Sequence, residues 1–416
     1  MDKLFLLIEV ASYLFAVYLF VNKKELSIIY LPLLIFSYSV IVPTFSASIY
    51  YGLISLLLIS CINNNTSFFK NNIFACFIFI YFLILLPKSE DIQAIRPYVF
   101  SVLWLFLSIP LITTIYQKYD RDLIFDEISK CALLILSLFV VNVIFSTIYS
   151  YAPAEMYGIT SGVLYGNLYA ANFNILSIAI FITALYLVKT KSMLRIIVLI
   201  LALSLLLLSM RRSVMLMSCL GIAVVLMSFL AKKEAKKFIL FGGILLVVGY
   251  FIYSSTNFVD LFQERYELRN LEERELEGEG RFLEYELLYK DMFLYNEYSP
   301  WFGFELFNSS GNYGHGIFDL RTLHSDLTNI AHSSGLIGVL FYLLMVITAF
   351  VKAWKAKCNT IDKSIILFCV VTFIVFAITG RYTQVDYMIL LYLILLIPLT
   401  NKNDEVEVLS KFELSQ

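Results

Sequence analysis

The feature that most constrains this chain is the recurrence of long apolar runs along nearly all of its 416 residues. They fall at about 4–21, 26–43, 45–62, 72–86, 97–116, 129–149, 166–188, 194–210, 213–230, 238–254, 335–351, 364–380 and 385–400. A helix of about 20 apolar residues crosses the hydrocarbon core of a bilayer, and somewhat shorter ones cross when their flanking side chains snorkel. Hydrophobic residues make up 60% of the chain and charged residues 15%, against about 45–50% and about 25% in a soluble domain. The expected fold is all-α, a polytopic bundle of thirteen transmembrane helices, or twelve if one early segment is re-entrant.

Ten spans are expected within 1–254, one large hydrophilic loop over 255–334, the remaining spans within 335–400 and a tail over 401–416. The first run has a weakly basic start and no small-residue cleavage site, so it reads as a retained helix rather than a signal peptide. The six cysteines all lie in or beside apolar runs, with no CxxC pair, and predict neither a disulfide framework nor a metal site. The net charge of −1 conceals a strong segregation. The connections near residues 23, 70, 120, 190, 234 and 357, with the C-terminal tail, carry nineteen Lys and Arg, whereas the N-terminus and the opposite short connections carry six. Basic loops stay cytoplasmic, which puts the 255–334 loop on the outer face.

That loop holds fifteen acidic and six basic residues between Asp260 and Asp326. Its Glu-rich first half, "ERYELRNLEERELEGEGRFLEYELLYKD", reads as a solvated pair of amphipathic helices broken at Gly278 and Gly280. Its second half, "YSPWFGFELFNSSGNYGHGIFDL", is rich in Gly, Asn and aromatics. Such a composition suits stacking on sugar rings and equally suits anchoring at a membrane interface.

Three features stand out. Arg211 and Arg212 interrupt apolar sequence in "LLLLSMRRSVMLMSCLG". Charge there is costly unless it faces water, a partner or an anion, or snorkels from a tight turn. Arg281 follows a glycine pair in "EGEGRFLEY". Finally, "RTLHSDLTNIAHSSGLIGVLFYLLM" holds two of the three histidines just ahead of an apolar run. On a helix His324, Thr328 and His332 recur every four residues beside a stripe of Leu323, Leu327 and Ile330, which predicts an interfacial helix. His315, His324 and His332 have no zinc-like spacing. His332 reads as structural, and Arg321 as a phosphate contact or as the partner of Asp319 or Asp326.

The order and spacing of "SMRRSVML", "GEGRFLEY", "PWFGFEL" and "HSDLTNIAHSSGLIGVLFYLL" resembles the O-antigen ligase and O-antigen polymerase superfamily. "SGVLYGNLYAANFNIL" is a weaker match, similar to the opening of an earlier helix there. The resemblance spans roughly residues 158–350 and implies glycosyl transfer on the outer face of a bacterial inner membrane. The donor and the acceptor are then undecaprenyl-diphosphate-linked oligosaccharides within membrane lipid. Arg212, which Ser213 follows, matches the family's membrane-edge arginine, and Arg211 stands where relatives carry Ser. Arg281 matches the loop arginine. His324 matches the histidine, with Ser325 in place of the usual Asn.

The resemblance implies that Arg212 and Arg281 grip the departing diphosphate, with Arg211 and Arg321 nearby, and that His324 accepts the proton of the attacking sugar hydroxyl. Guanidinium groups stay charged and hold phosphate oxygens bidentately. An imidazole changes charge close to neutral pH. The implied enzyme is an inverting glycosyltransferase with no metal or other cofactor. A chain-length regulator is a possible protein partner, and no nucleic acid is expected. The favoured reading is a polymerase of repeat units; a ligase to lipid A-core is the alternative, and a polysaccharide transporter or flippase a remote one. Transporters show internal repeats and ionisable residues in several helices, whereas these runs are nearly free of charge apart from Glu9 and the arginine pair.

Overall fold

The computed structural model describes residues 1–151, 166–168, 170–190, 192–209, 211–231, 280–317, 321–356, 358–379 and 383–401, with a few positions between 242 and 254. These residues form helices and loops without a strand. The helices are α1 (Asp2–Tyr18), α2 (Leu31–Ser39), α3 (Ala47–Asn63), α4 (Ile73–Leu85), α5 (Ile92–Tyr116), α6 (Arg121–Ile148) and α7 (Asn174–Leu187). They continue as α8 (Met193–Leu208), α9 (Arg212–Ala231), α10 (Gly280–Tyr289), α11 (Asp326–Lys355), α12 (Thr360–Thr379) and α13 (Val385–Leu395).

Helices form at twelve of the thirteen apolar runs; most of the run at 238–254, most of the acidic stretch and the tail beyond residue 401 lie outside the described residues. Five stretches are long and apolar enough to cross a membrane: Asp2–Ser39, Ile92–Tyr116, Arg121–Ile148, Asp326–Lys355 and Thr360–Ile378. Six other apolar helices are of 10–17 residues.

The first of these stretches is folded back on itself. Glu9 accepts hydrogen bonds from the Thr44 N–H at 2.7 Å and the Phe45 N–H at 3.2 Å, whereas a straight helix would separate residues 9 and 44 by roughly 50 Å. The reversal begins at Lys24, whose φ is 46°, and α1 and α2 therefore run antiparallel. Glu9 is consumed in holding that hairpin, since Tyr13 also donates to it at 2.9 Å.

Two short helices form the centre. Every residue of α7 and of α13 is buried, Asn174 and Asp386 in their first turns included. In a bilayer, helices gain little from leaving lipid for protein, so close packing and hydrogen bonds hold them together. Gly221 of α9 shows this: a Cβ there would sit 3.1 Å from Phe181 Cβ of α7 and 3.2 Å from Phe368 Cε2 of α12. The Phe181 and Phe368 rings stack at 3.9 Å.

Polar contacts sort the connections into two ends. At one end Lys23 pairs with Glu127 at 2.8 Å, Lys118 with Glu25 at 3.0 Å, and Lys189 with Asp122 at 3.1 Å. There too Arg121 grips Asp362, Lys352 donates to the Asn71 carbonyl, and the Asn401 N–H donates to the Tyr119 carbonyl at 3.0 Å. These contacts gather the basic connections near 23, 70, 120, 190 and 357 with the start of the tail. Asp120 and Asp91 cap α6 and α5, accepting from the N–H groups of Asp122 at 2.7 Å and Ala94 at 3.0 Å. At the other end Asn174 meets Gln384 at 3.4 Å, Arg211 lies 5.7 Å from the Phe173 ring, and Ser325 donates to the Ala377 carbonyl at 3.2 Å.

Helix α11 begins at Asp326, behind Ser325, and is broken at Gly335, just before the apolar run that starts at Leu336. Gly335 has φ 66° and ψ −170°, a region that only glycine occupies readily. The break is filled by 299–304. The Leu336 N–H donates to the Pro300 carbonyl at 2.8 Å and the Phe304 N–H to the His332 carbonyl at 2.7 Å. Tyr81 of α4 donates to the Ser334 carbonyl at 2.9 Å. These bonds satisfy backbone groups that the break would otherwise leave without partners.

Candidate functional site

Helix α10 and the turn after it carry an apolar stripe at Leu287, Leu288 and Met292 that packs on Leu323 and Ala331. Glu284 and Asp291 occupy the same stripe, one turn before and one after the leucines, which is the i, i+3, i+4, i+7 face of a helix. Both are buried, Glu284 completely. The solvated reading of the acidic stretch is thus overturned for these two carboxylates, because packing on 321–331 covers the face they share with the leucines.

Glu284 gathers the segment 321–324. Its Oε1 accepts from Arg321 Nη2 at 2.8 Å and lies 2.9 Å from His324 Nδ1, while its Oε2 accepts from the His324 backbone N–H at 2.9 Å. Arg321 Nε stands 3.3 Å from His324 Nδ1. The side chains of Arg321 and His324 remain 31% and 32% exposed above a carboxylate that is 0% exposed. Burial alone would raise the pKa of Glu284; the hydrogen bonds from the His324 ring and N–H, with the Arg321 charge, outweigh it and hold the carboxyl below the usual glutamate range.

The expectation of a helix carrying His324, Thr328 and His332 on one face is corrected here. Ser325 stands at the N-cap position and the helix starts at Asp326, so His324 lies in the extended segment ahead of it. The physical reason is local. Ser and Asp favour the start of a helix over its interior, and Glu284 engages the His324 N–H.

The three histidines do not converge. His332 is buried, with Nε2 3.0 Å from the Asn312 carbonyl and its ring against Tyr298 and Phe304. His315 has Nε2 3.4 Å from Glu297 and 3.8 Å from Asp291. Among the described residues no group of three or more His, Cys, Asp and Glu is arranged to hold a metal ion.

Of the arginines singled out in the sequence, Arg321 meets His324 directly, and its ion pair is with Glu284. Arg281 lies in the first turn of α10, three residues before Glu284, and its side chain is outside the described residues. Arg212 is exposed at the first turn of α9. Its height follows from helix geometry. Gly221 and Phe368 mark one level, and nine residues back to Arg212 or forward to Ala377 rise by the same roughly 13.5 Å. The Ala377 carbonyl receives the Ser325 hydroxyl, so Arg212 and His324 stand at one end of the bundle, at about one height.

The element 299–304 frames the same end. Gly303, at φ +72°, lets the backbone approach the break in α11, for a Cβ there would lie 2.5 Å from the His332 carbonyl oxygen. Trp301, Phe302 and Phe304 are left exposed, and Lys88 Nζ lies 5.1 Å from the Phe302 ring centre. Tyr285 of α10 reaches Ser325 Oγ at 2.5 Å.

Sequence reasoning missed Glu284, whose signal was an acid in register with Leu287, Leu288 and Asp291. No family model matches this chain, and no curated protein matches it. Any functional conclusion therefore stands on residue chemistry and on the order of its motifs.

Proposed function

We propose that this protein is a membrane glycosyltransferase that polymerises lipid-linked polysaccharide repeat units. It transfers the growing glycan from polyprenyl diphosphate to the next lipid-linked unit on the outer face of a bacterial inner membrane. The observation that carries the reading is the meeting of His324 and Arg321 on buried Glu284, level with Arg212 and at the end of the bundle away from the paired basic connections. The order of these residues along the chain resembles that of the O-antigen ligase and polymerase superfamily.

In this reading the acceptor hydroxyl attacks the anomeric carbon and gives its proton to His324. The carbon–oxygen bond to diphosphate breaks on the opposite side, inverting the centre, and the electron pair leaves with the phosphate oxygen. Arg212 and Arg281 bind the diphosphate and stabilise the charge it gains. A positioned base contributes about 10²–10⁴-fold to such a reaction, and preformed guanidinium donors add to that where water is scarce. The exposed aromatics of 301–304 offer flat faces to sugar rings.

The test is the glycan pattern of a deletion strain. A polymerase defect leaves surface glycans of one repeat unit, and Arg281→Ala reproduces it. Long chains stranded on the lipid carrier would replace this reading by a ligase.

A further inference from the structure

We infer that Glu284 is a positioning residue that fixes the tautomer of His324, leaving Nε2 as the atom that takes the proton; this rests on the transferase reading for its role, though not for its geometry. A carboxylate only accepts hydrogen bonds. With Glu284 Oε1 at 2.9 Å from His324 Nδ1, the proton between them belongs to Nδ1 and the lone pair to Nε2. Arg321 Nε then has no lone pair to meet at Nδ1, and the firm contact of this guanidinium is Nη2 to Glu284 Oε1 at 2.8 Å.

The second carboxylate oxygen strengthens the assignment. It accepts the backbone N–H of His324 at 2.9 Å, so one side chain holds both the main chain and the ring of the histidine. A completely buried carboxylate cannot touch substrate, which separates its role from that of His324, whose side chain is partly exposed. When Nε2 gains the hydroxyl proton, the resulting imidazolium faces an anion 2.9 Å away. The same relation stabilises the protonated base in His–carboxylate pairs generally. Among the described residues the ionisable groups in contact with the ring are Glu284 from α10 and Arg321 from its own segment, with Tyr285 of α10 on the adjacent Ser325.

The tautomer is read by ¹⁵N NMR of the full-length protein in detergent, with the His324 signals assigned by their loss in His324→Ala. In the neutral ring, a protonated Nδ1 and an unprotonated Nε2 are expected; an Nε2–H tautomer overturns the inference whatever the activity. The second measurement is the pH dependence of transfer from lipid-linked repeat units by the protein in membrane vesicles, normalised to folded protein. Glu284→Gln is expected to slow transfer by roughly 10²–10⁴-fold and to move the acid limb to lower pH, because the imidazolium loses its counter-charge. Unchanged rate and limb in Glu284→Gln, with His324→Ala inactive, would overturn the positioning role alone. Full activity in His324→Ala would instead remove His324 as the base and leave the tautomer result standing, and absence of transfer by the wild-type protein would sink the transferase reading.

Discussion

Glu284 Oε1 and His324 Nδ1 lie 2.9 Å apart, the carboxylate wholly buried and the ring partly exposed. A hydrogen bond across 40 residues thus joins helix α10 to the segment that leads into α11, and it makes the chemistry of one depend on the ionisation of the other.

That ionisation gives stability a pH dependence of definite sign. The folded pKa of Glu284 lies below its ordinary value of about 4.3. Its contribution is therefore complete above that value and is lost as pH falls through the lower, folded one. Glu284→Gln is expected to cost about 1–3 kcal/mol at pH 7, towards the lower end because Arg321 and His324 are partly solvated. In thermal unfolding the deficit shrinks as the pH is taken below about 4. An equal deficit at pH 3 and pH 7 would contradict this.

The glycine at the break in α11 admits no side chain. A Cβ on Gly335 would lie 2.2 Å from the Trp301 carbonyl carbon and oxygen. Gly335→Ala adds backbone strain of about 1–3 kcal/mol to a clash with main chain that cannot swing away. Sharply reduced accumulation of folded protein is expected, read by size-exclusion of the solubilised protein, and a wild-type yield would show that 299–304 does not dock there.

Gly221 tests the packing that sets the height of Arg212. Gly221→Leu pushes α9 from Phe181 and Phe368, and overpacking of this kind costs about 1–3 kcal/mol. Unfolding at a lower temperature is the expected result, with Gly221→Ala closer to wild type because its neighbours yield by only a few tenths of an ångström.

Sidedness is open to direct labelling. Glu297→Cys stands near the candidate site and Asp122→Cys among the basic connections, and both side chains are exposed. A membrane-impermeant maleimide applied to intact cells is expected to label the first at once and the second only after permeabilisation. The reverse pattern would invert the proposed topology.

The helices were legible because apolar runs announce themselves locally, and the basic connections found each other because opposite charges at one end pair. Glu284 was not legible, and neither was its ion pair with Arg321, for which the sequence offered Asp319 or Asp326 as partner. Read within a run of glutamates it looks solvated, and only its register with Leu287, Leu288 and Asp291 betrays a buried face. The break at Gly335 was hidden as well, since it depends on 299–304 folding onto α11 and nothing near Gly335 in sequence signals that approach.

The central claim is that His324 performs the chemistry, and the size distribution of surface glycan in a deletion strain complemented with His324→Ala tests it most directly. With variant protein present at the wild-type level, glycans of a single repeat unit, as in the deletion itself, are predicted. Restoration of the full-length ladder would contradict the account.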